Sequence, residues 1–152
     1  MDMPSDVQEA FTAMQQQFME HVADSMKEID RKYIRKCEAA FYRAGVKCTN
    51  NSTMDAEERA KCMSDQPGVA AYMQVQQATA AVGQAAASVI INAAGTCGSA
   101  EGFDPQNPSD SNIDWAKFSS CVRREGLDAK TKWDYEMLPK IEQAVVEATS
   151  RL

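Results

Sequence analysis

The chain has 152 residues, which is enough for one domain with a sizeable hydrophobic core. Its formal net charge of −6 argues against nucleic-acid binding, because that function normally needs a basic surface. The 44% of hydrophobic residues and 25% of charged residues are typical of a folded soluble protein, which excludes a wholly disordered chain.

The N-terminal sequence MDMPSDVQEAF does not have the pattern of a targeting peptide. It lacks the basic and apolar regions of a secretory signal, and it carries Asp2, Asp6 and Glu9 with no arginine before Arg31, unlike a matrix transit peptide. On this pattern alone, the expected compartment is the cytosol.

Residues 5–47 are predicted to form one long amphipathic helix, with Ser5 as its N-cap and Gly45 near its fraying end. Apolar residues recur at steps of three and four, which is the spacing of one helix face. The members of this stripe are Val7, Phe11, Met14, Phe18, Val22, Met26, Ile29, Tyr33, Cys37, Ala40 and Ala44.

Turn-forming residues separate this helix from the next one. The sequence TNNST at 49–53 is predicted to turn, because Asn and Ser side chains bond their own backbone locally. Asp55 is the predicted cap of a second helix, with Glu58 as its reciprocal partner. Pro67 then interrupts this helix, and a restarted helix is predicted to run to about Ala94.

The segment from Gln66 to Ala100 has no charged side chain. A membrane span is one interpretation, but the segment is rich in alanine, which gains little in hydrocarbon, and it carries costly amide side chains. They include Gln74, Gln76, Gln77, Gln84 and Asn92. We therefore expect a helix that is surrounded by protein on most sides and does not span a membrane.

The C-terminal third is predicted to hold a loop and two more helices. The glycines and prolines of residues 95–112 indicate the loop. Ser111 and Asp114 form a predicted capping box that opens a helix, and Gly126 is expected to break it. A last helix is predicted over 128–150, with a kink at Pro139. No segment has the pattern of a strand, so the predicted fold class is all-α.

The five cysteines allow two interpretations. They are Cys37, Cys48, Cys62, Cys97 and Cys121. With no CxxC motif and one histidine, the ligands of a zinc or iron–sulfur site are missing, and we expect no metal or other cofactor. If neighbouring helices are antiparallel, two pairs of these cysteines can come within disulfide range. Buried free thiols in a cytosolic bundle are the alternative.

The order of several short motifs resembles the family-with-sequence-similarity-136 proteins, which are small helical mitochondrial proteins. These motifs are VQEAF at 7–11, YIRKCEAAFYR at 33–43, Pro67, SSCVRRE at 119–125 and LPKIEQAV at 138–145. The family carries four CxxxC motifs, of which this chain keeps only one cysteine each. The missing outer positions hold Ala44, Gln66, Ala93 and Glu125.

The resemblance implies which cysteines pair. In twin CxxxC hairpins the inner cysteines bond each other, and the retained ones form two complete inner pairs, Cys48–Cys62 and Cys97–Cys121. One domain over 1–152 is then expected to contain two antiparallel hairpins, 5–94 and 67–150, that share the central helix. Cys37 is left as a buried free thiol on the apolar stripe. The resemblance also implies the mitochondrial intermembrane space, where such hairpins are trapped by oxidation.

Two further features could carry function. His21 has no nucleophile paired with it in sequence, so we interpret it as a histidine at a helix edge. The basic run at 27–36 could contact anionic lipid head groups or an acidic subunit, although Glu28 and Asp30 favour a solvated helix face. Its cations are Lys27, Arg31, Lys32, Arg35 and Lys36.

The favoured function is a non-enzymatic structural subunit of a mitochondrial inner-membrane complex, of the respiratory-chain or ATP synthase type, on the intermembrane-space side. Its partners would be protein subunits, with anionic lipid head groups as a further hypothesis and no nucleic acid. One alternative is a free intermembrane-space assembly or carrier factor, and another is a cytosolic helical adaptor with reduced thiols.

Overall fold

Every regular element is helical in the computed structural model, which describes residues 3–101 and 113–152. The predicted all-α fold class is therefore confirmed for these residues. In chain order the elements are α1 (Ser5–Ile29), π1 (Asp30–Ile34), α2 (Arg35–Thr49), α3 (Ala56–Ser64), α4 (Pro67–Ala100), α5 (Trp115–Lys132), π2 (Trp133–Met137) and α6 (Leu138–Thr149). Here π1 and π2 are short π-helical segments within longer helices.

The long N-terminal helix is present as α1, π1 and α2 in direct succession. It ends at Thr49 and does not fray near Gly45, because Cys48 is fully buried and bonded in its last turn. The hydroxyl of Thr49 also donates to the Gly45 carbonyl at 2.5 Å. The π turn was not predicted, because the apolar stripe runs through it without a change of spacing.

Helix α4 begins at Pro67 as predicted, but it continues to Ala100, so the predicted loop start at residue 95 is wrong. Cys97 lies in the final turns of α4, where it is fully buried, and its burial and disulfide hold those turns in helical form. The remaining part of the predicted loop, 102–112, lies outside the described residues, together with Ser111.

Gly126 does not break the helix as predicted, and it lies within α5 in a buried position. A Cβ atom at this residue would lie 2.5 Å from Cγ of Met14, so the absence of a side chain lets α1 and α5 approach closely. The predicted interruption near Pro139 takes the form of π2, which directly precedes α6. A local π turn is a common way to accommodate an irregular helical hydrogen-bond pattern.

Contacts divide the chain into two compact units. The first unit consists of Met1–Asp24 and Gly83–Met137, and the second consists of Ser25–Val82 and Leu138–Leu152. Each unit has its own buried core. In the first unit the core residues are Val7, Met14, Cys97, Phe118, Cys121 and Val122. In the second unit they are Ile29, Cys37, Ala71, Val75, Val145 and Ala148.

Helix directions within the first unit follow from pairs of contacts. Met14 meets Gly126 and His21 meets Asp134, so α1 runs parallel to α5 and π2. The disulfide between Cys97 and Cys121 joins the end of α4 to the early part of α5. Residues of α4 from Val89 to Thr96 line one groove with residues of α5 from Glu125 to Lys132, and the two helices are antiparallel.

In the second unit, α2 runs antiparallel to both α3 and the first part of α4. The Cys48–Cys62 disulfide lies at the α2–α3 end, and the rings of Phe41 and Tyr72 stack with centroids 4.3 Å apart. A Cβ atom on Gly68 would lie only 2.9 Å from the backbone and Cβ of Ala40. This is a close approach of two backbones, which only glycine permits.

Replacing Gly68 by alanine should destabilise the protein, whereas replacing Gly83 by alanine should stabilise it. At residue 68 the added methyl group meets the Ala40 backbone, and overpacking of this kind costs about 1–3 kcal/mol. At residue 83 nothing lies within 4 Å of the new Cβ, and helix propensity favours alanine by up to about 1 kcal/mol. Thermal unfolding of the two variants measures both effects. A Gly68→Ala protein as stable as the wild type would contradict the close approach.

Candidate functional site

The two disulfides join the cysteines that the resemblance implies. Cys48 and Cys62 have an S–S distance of 2.04 Å and a Cα–Cα distance of 5.8 Å. Cys97 and Cys121 have corresponding distances of 2.09 Å and 5.6 Å. The first bridge lies in the second unit and the other in the first unit, so each unit carries one covalent link between antiparallel helices.

Local hydrogen bonds position Cys62 for the first bridge. The Asn51 side chain accepts from the backbone N–H and the hydroxyl of Thr53, at 3.1 and 2.6 Å, which fixes the turn. Asp55 caps α3 by accepting the Glu58 N–H at 2.8 Å, as predicted. The capped helix then presents Cys62 to Cys48 in the last turn of α2.

The second bridge has a different cap from the predicted one. Asp114 is itself the N-cap of α5, since its Oδ1 accepts the N–H groups of Ala116 and Lys117 at 3.1 and 3.2 Å. The sequence pattern predicts Ser111 as the cap and Asp114 as its partner one turn into the helix, which is wrong for Asp114. Because the helix starts at Trp115, Asp114 has the extended backbone conformation of an N-cap residue.

The positions at which the resemblance implies missing outer thiols are filled by other side chains. Ala44 and Ala93 are buried, with exposures of 6% and 5%. Gln66 is half-buried, and its side-chain amide lies 4.0 Å from the Cys62 sulfur.

Cys37 forms no disulfide and is completely buried in the core of the second unit. Burial, with a smaller contribution from Glu38, raises the pKa of its thiol above the ordinary value of 9.0. A raised pKa suppresses the thiolate, which is the reactive form of cysteine. The environment of Cys37 is therefore that of a packing residue.

His21 has a carboxylate partner that could not be recognised in the sequence. Its Nε2 lies 2.7 Å from Oδ1 of Asp134, a residue 113 positions away, and both side chains are partly exposed. The pair joins α1 to π2 within the first unit. No sequence pattern predicts this pair, because neither residue belongs to a recognisable motif.

Two acidic residues within the basic run at 27–36 form ion pairs with three of its five cations. Glu28 accepts Arg31 at 2.7 Å and Lys32 at 3.3 Å, and Asp30 accepts Arg35 at 3.1 Å. The two cations of Arg31 and Lys32 lower the pKa of the Glu28 carboxyl. These pairs follow the short spacings of the helix, and they leave less charge for a lipid or protein partner than the sequence indicates.

Comparison with protein-family models, with curated proteins and with solved structures finds no match to this chain. Within residues 3–101 and 113–152, no group of three or more His, Cys, Asp or Glu side chains has an arrangement that could hold a metal ion.

Helix α4 is the one described helix that is long and apolar enough to cross a membrane, judged by length and composition alone. Only 28% of its most apolar stretch of 18 residues is buried within the protein. This chain therefore covers only part of the surface of α4, and the expectation that protein surrounds the helix on most sides stays a prediction.

A thiol count on the unreduced protein should find one free cysteine, Cys37. Alkylation of the folded protein should be slow, and it should become complete only after denaturation, because the Cys37 thiol is buried and its pKa is raised. Peptide mass spectrometry should then identify the Cys48–Cys62 and Cys97–Cys121 links. Five alkylated cysteines in a sample protected from reduction would contradict both disulfides.

The raised pKa of Cys37 also predicts a pH dependence. The folded state holds the thiol proton more tightly than the unfolded chain does. Its contribution to the free energy of unfolding is therefore complete below pH 9.0 and declines as pH rises towards the higher pKa of the folded state. Urea unfolding of the wild type and of Cys37→Ala over this alkaline range measures the Cys37 contribution to the free energy of unfolding. The part of the decline with pH that is due to Cys37 should be absent in the variant.

Removing either disulfide should lower the free energy of unfolding substantially. For sequence separations of 14 and 24 residues, loop entropy predicts losses of about 3 kcal/mol for Cys48→Ala/Cys62→Ala and about 3.5 kcal/mol for Cys97→Ala/Cys121→Ala. Cys37→Ala is the matched control, with an expected loss of about 1 kcal/mol from the removed sulfur atom. Urea unfolding measures all three, and equal losses in the control and the double variants would contradict the structural role of the bridges.

Proposed function

We propose that this chain is a non-enzymatic structural subunit of a mitochondrial inner-membrane complex, bound on the intermembrane-space side. The observation that carries the proposal is the exposed, uncharged surface of α4. A soluble protein normally covers its exposed helix faces with charged side chains, because they keep the surface hydrated and soluble. Helix α4 has none along its 34 residues.

In the first unit, the exposed surface of α4 includes Gln84, Ala87, Ser88 and Ile91, which we call the uncharged face. These residues follow one another at helical spacing, and Ile91 is 69% exposed. Small side chains beside a protruding isoleucine suit close packing against another helix, because they let the two backbones approach. The face thus has the composition of a subunit contact.

The two disulfides support an oxidising compartment, because such bonds are rare in the cytosol. The resemblance to a family of mitochondrial proteins with paired CxxxC motifs favours the intermembrane space among the oxidising compartments. Burial of three of the four bonded cysteines supports a structural use. Cys48 and Cys97 are completely buried and Cys121 is 5% exposed, while Cys62 is partly exposed; a redox enzyme keeps its reactive cysteine accessible.

A peripheral position is favoured over a membrane span by the neighbours of α4. In the second unit α4 packs against α2, and in the first unit it packs against α5, which carries five cations and two acidic residues. The exposed charges of such neighbours would be costly within hydrocarbon. The uncharged face is therefore assigned to protein partners.

The proposal predicts that the protein migrates far above its own mass of 16.7 kDa. Mitochondria containing the tagged chain are solubilised in a mild detergent and separated by size under native conditions. The substitution Ala87→Glu places a charge on the uncharged face and should release the chain as a monomer, because an unpaired buried charge costs several kcal/mol.

Ala39→Glu is the matched control, since Ala39 is also exposed but lies on α2 in the second unit. This variant should remain in the large species. If the wild type itself migrates as a monomer within the intermembrane space, the alternative of a free assembly or carrier factor replaces the proposal. If the chain is found in the cytosol with five reduced thiols, the alternative of a cytosolic helical adaptor replaces the proposal.

A further inference from the structure

Three cations of α5 differ from Arg31, Lys32 and Arg35 of the basic run in having no ion pair within residues 3–101 and 113–152. The side chains of Arg123, Arg124 and Lys130 form no ion pair or hydrogen bond within these residues. Arg123 and Arg124 are exposed and Lys130 is partly exposed. Their charge is therefore available to a partner outside the chain.

These three cations surround a large apolar side chain. Leu127 lies four and three residues after the arginines and three residues before Lys130, so all of them neighbour it on the helix surface. Leu127 is 66% exposed, although leucine is usually buried. We call Arg123, Arg124, Leu127 and Lys130 the basic face.

The acidic residues of α5 lie elsewhere. Glu125 and Asp128 line a separate groove beside Asn92 and Thr96 of α4. The next acidic residue along the chain, Asp134, is engaged by His21 at 2.7 Å. The basic face thus keeps its positive charge although the chain as a whole carries a net charge of −6.

A groove lies directly beside the basic face. It has a volume of about 360 Å³, and Arg123, Leu127 and Lys130 contribute one side of it. The rest of its lining is small or apolar apart from one amide. These residues are Ala10, Ala13, Met14, Gln17 and Gly126.

We propose that the basic face binds the surface of a membrane that contains anionic phospholipids, with Leu127 inserted among the lipids and the three cations contacting phosphate groups. A protruding aliphatic side chain within a ring of Arg and Lys is the arrangement that interfacial membrane binding uses. An acidic protein partner would also be recognised through uncharged hydrogen-bonding side chains at fixed positions, and apart from Arg123 and Lys130 the groove offers only Gln17 for this.

The acidic remainder of the chain does not prevent this contact. At physiological ionic strength, electrostatic interactions are screened over about 8 Å, so the membrane responds mainly to the charges nearest to it. Around Leu127, the three cations occupy the helix positions three and four residues away, whereas the nearby acidic residues Glu125 and Asp128 line the groove shared with α4. Local charge, and not the net charge of −6, then decides the interaction.

The test uses the purified, oxidised full-length chain and sedimentation with lipid vesicles. Vesicles of phosphatidylcholine alone are compared with vesicles that also contain phosphatidylglycerol. The wild type should bind only the anionic vesicles, and high salt should release it. The triple variant Arg123→Gln/Arg124→Gln/Lys130→Gln should bind about a hundredfold more weakly, at about fivefold per cation.

A matched triple variant separates local charge from net charge. Arg31→Gln/Lys32→Gln/Arg35→Gln removes the same number of cations, but it removes those that are already paired with Glu28 and Asp30. It should bind like the wild type. Leu127→Ala should weaken binding by about fivefold to tenfold through lost apolar insertion, whereas Val46→Ala, at a similarly exposed position on α2, should not.

The proposal is overturned if the wild type binds both kinds of vesicle equally or binds neither, and the basic face would then be left for an acidic protein partner. Equal losses in the two triple variants would overturn it as well. Circular dichroism and thiol counting confirm that each variant is folded and oxidised. Vesicle binding by the purified chain does not depend on assembly into a complex, so this inference and the proposed function can fail separately.

Discussion

One disulfide in each unit fixes the separation and the direction of two antiparallel helices, and the packing around it follows from that link. In the second unit, Cys48–Cys62 holds the last turn of α2 against α3. In the first unit, Cys97–Cys121 holds the final turns of α4 against α5. Each bridge contributes about 3 kcal/mol, which is a large part of a typical total stability of about 5–15 kcal/mol.

This reliance on covalent links agrees with the composition of α4. Alanine is the commonest residue of α4 and buries little apolar area, so this helix gains little from the hydrophobic effect. Its advantage is geometric, since small side chains allow close contact between helices. The closest such contact described above is at Gly68, where the helix backbone lies directly against the Ala40 backbone. The same property leaves an exposed surface that is neither strongly apolar nor charged, which suits a flat contact with another protein.

Much of the helical architecture could be predicted from residue spacing. The apolar stripe of the N-terminal helix, the Asp55 cap and the restart at Pro67 are all local features, and the structure has them. The disulfide partners could not be derived in this way, since spacing alone also allowed buried free thiols. They came from the resemblance to a family with paired CxxxC motifs.

The errors share a physical cause, which is that tertiary contacts overrode local preferences. Gly126 lies inside a helix because Met14 packs against it, and residues 95–100 are helical because Cys97 is buried and bonded. The partner of His21 depends on side-chain positions that a pattern of residue types does not encode. The basic face of α5 was overlooked for the same reason, because the run at 27–36 has the more conspicuous sequence.

The unequal loop lengths of the two bridges have a consequence for how the chain folds. Cys48 and Cys62 are separated by 14 residues and Cys97 and Cys121 by 24, so the ends of the first loop meet more often in an unfolded chain. The first loop also contains its own turn and helix cap, which form from local contacts. During oxidative folding the α2–α3 link therefore closes ahead of the other, and a partly oxidised chain would already contain one completed hairpin.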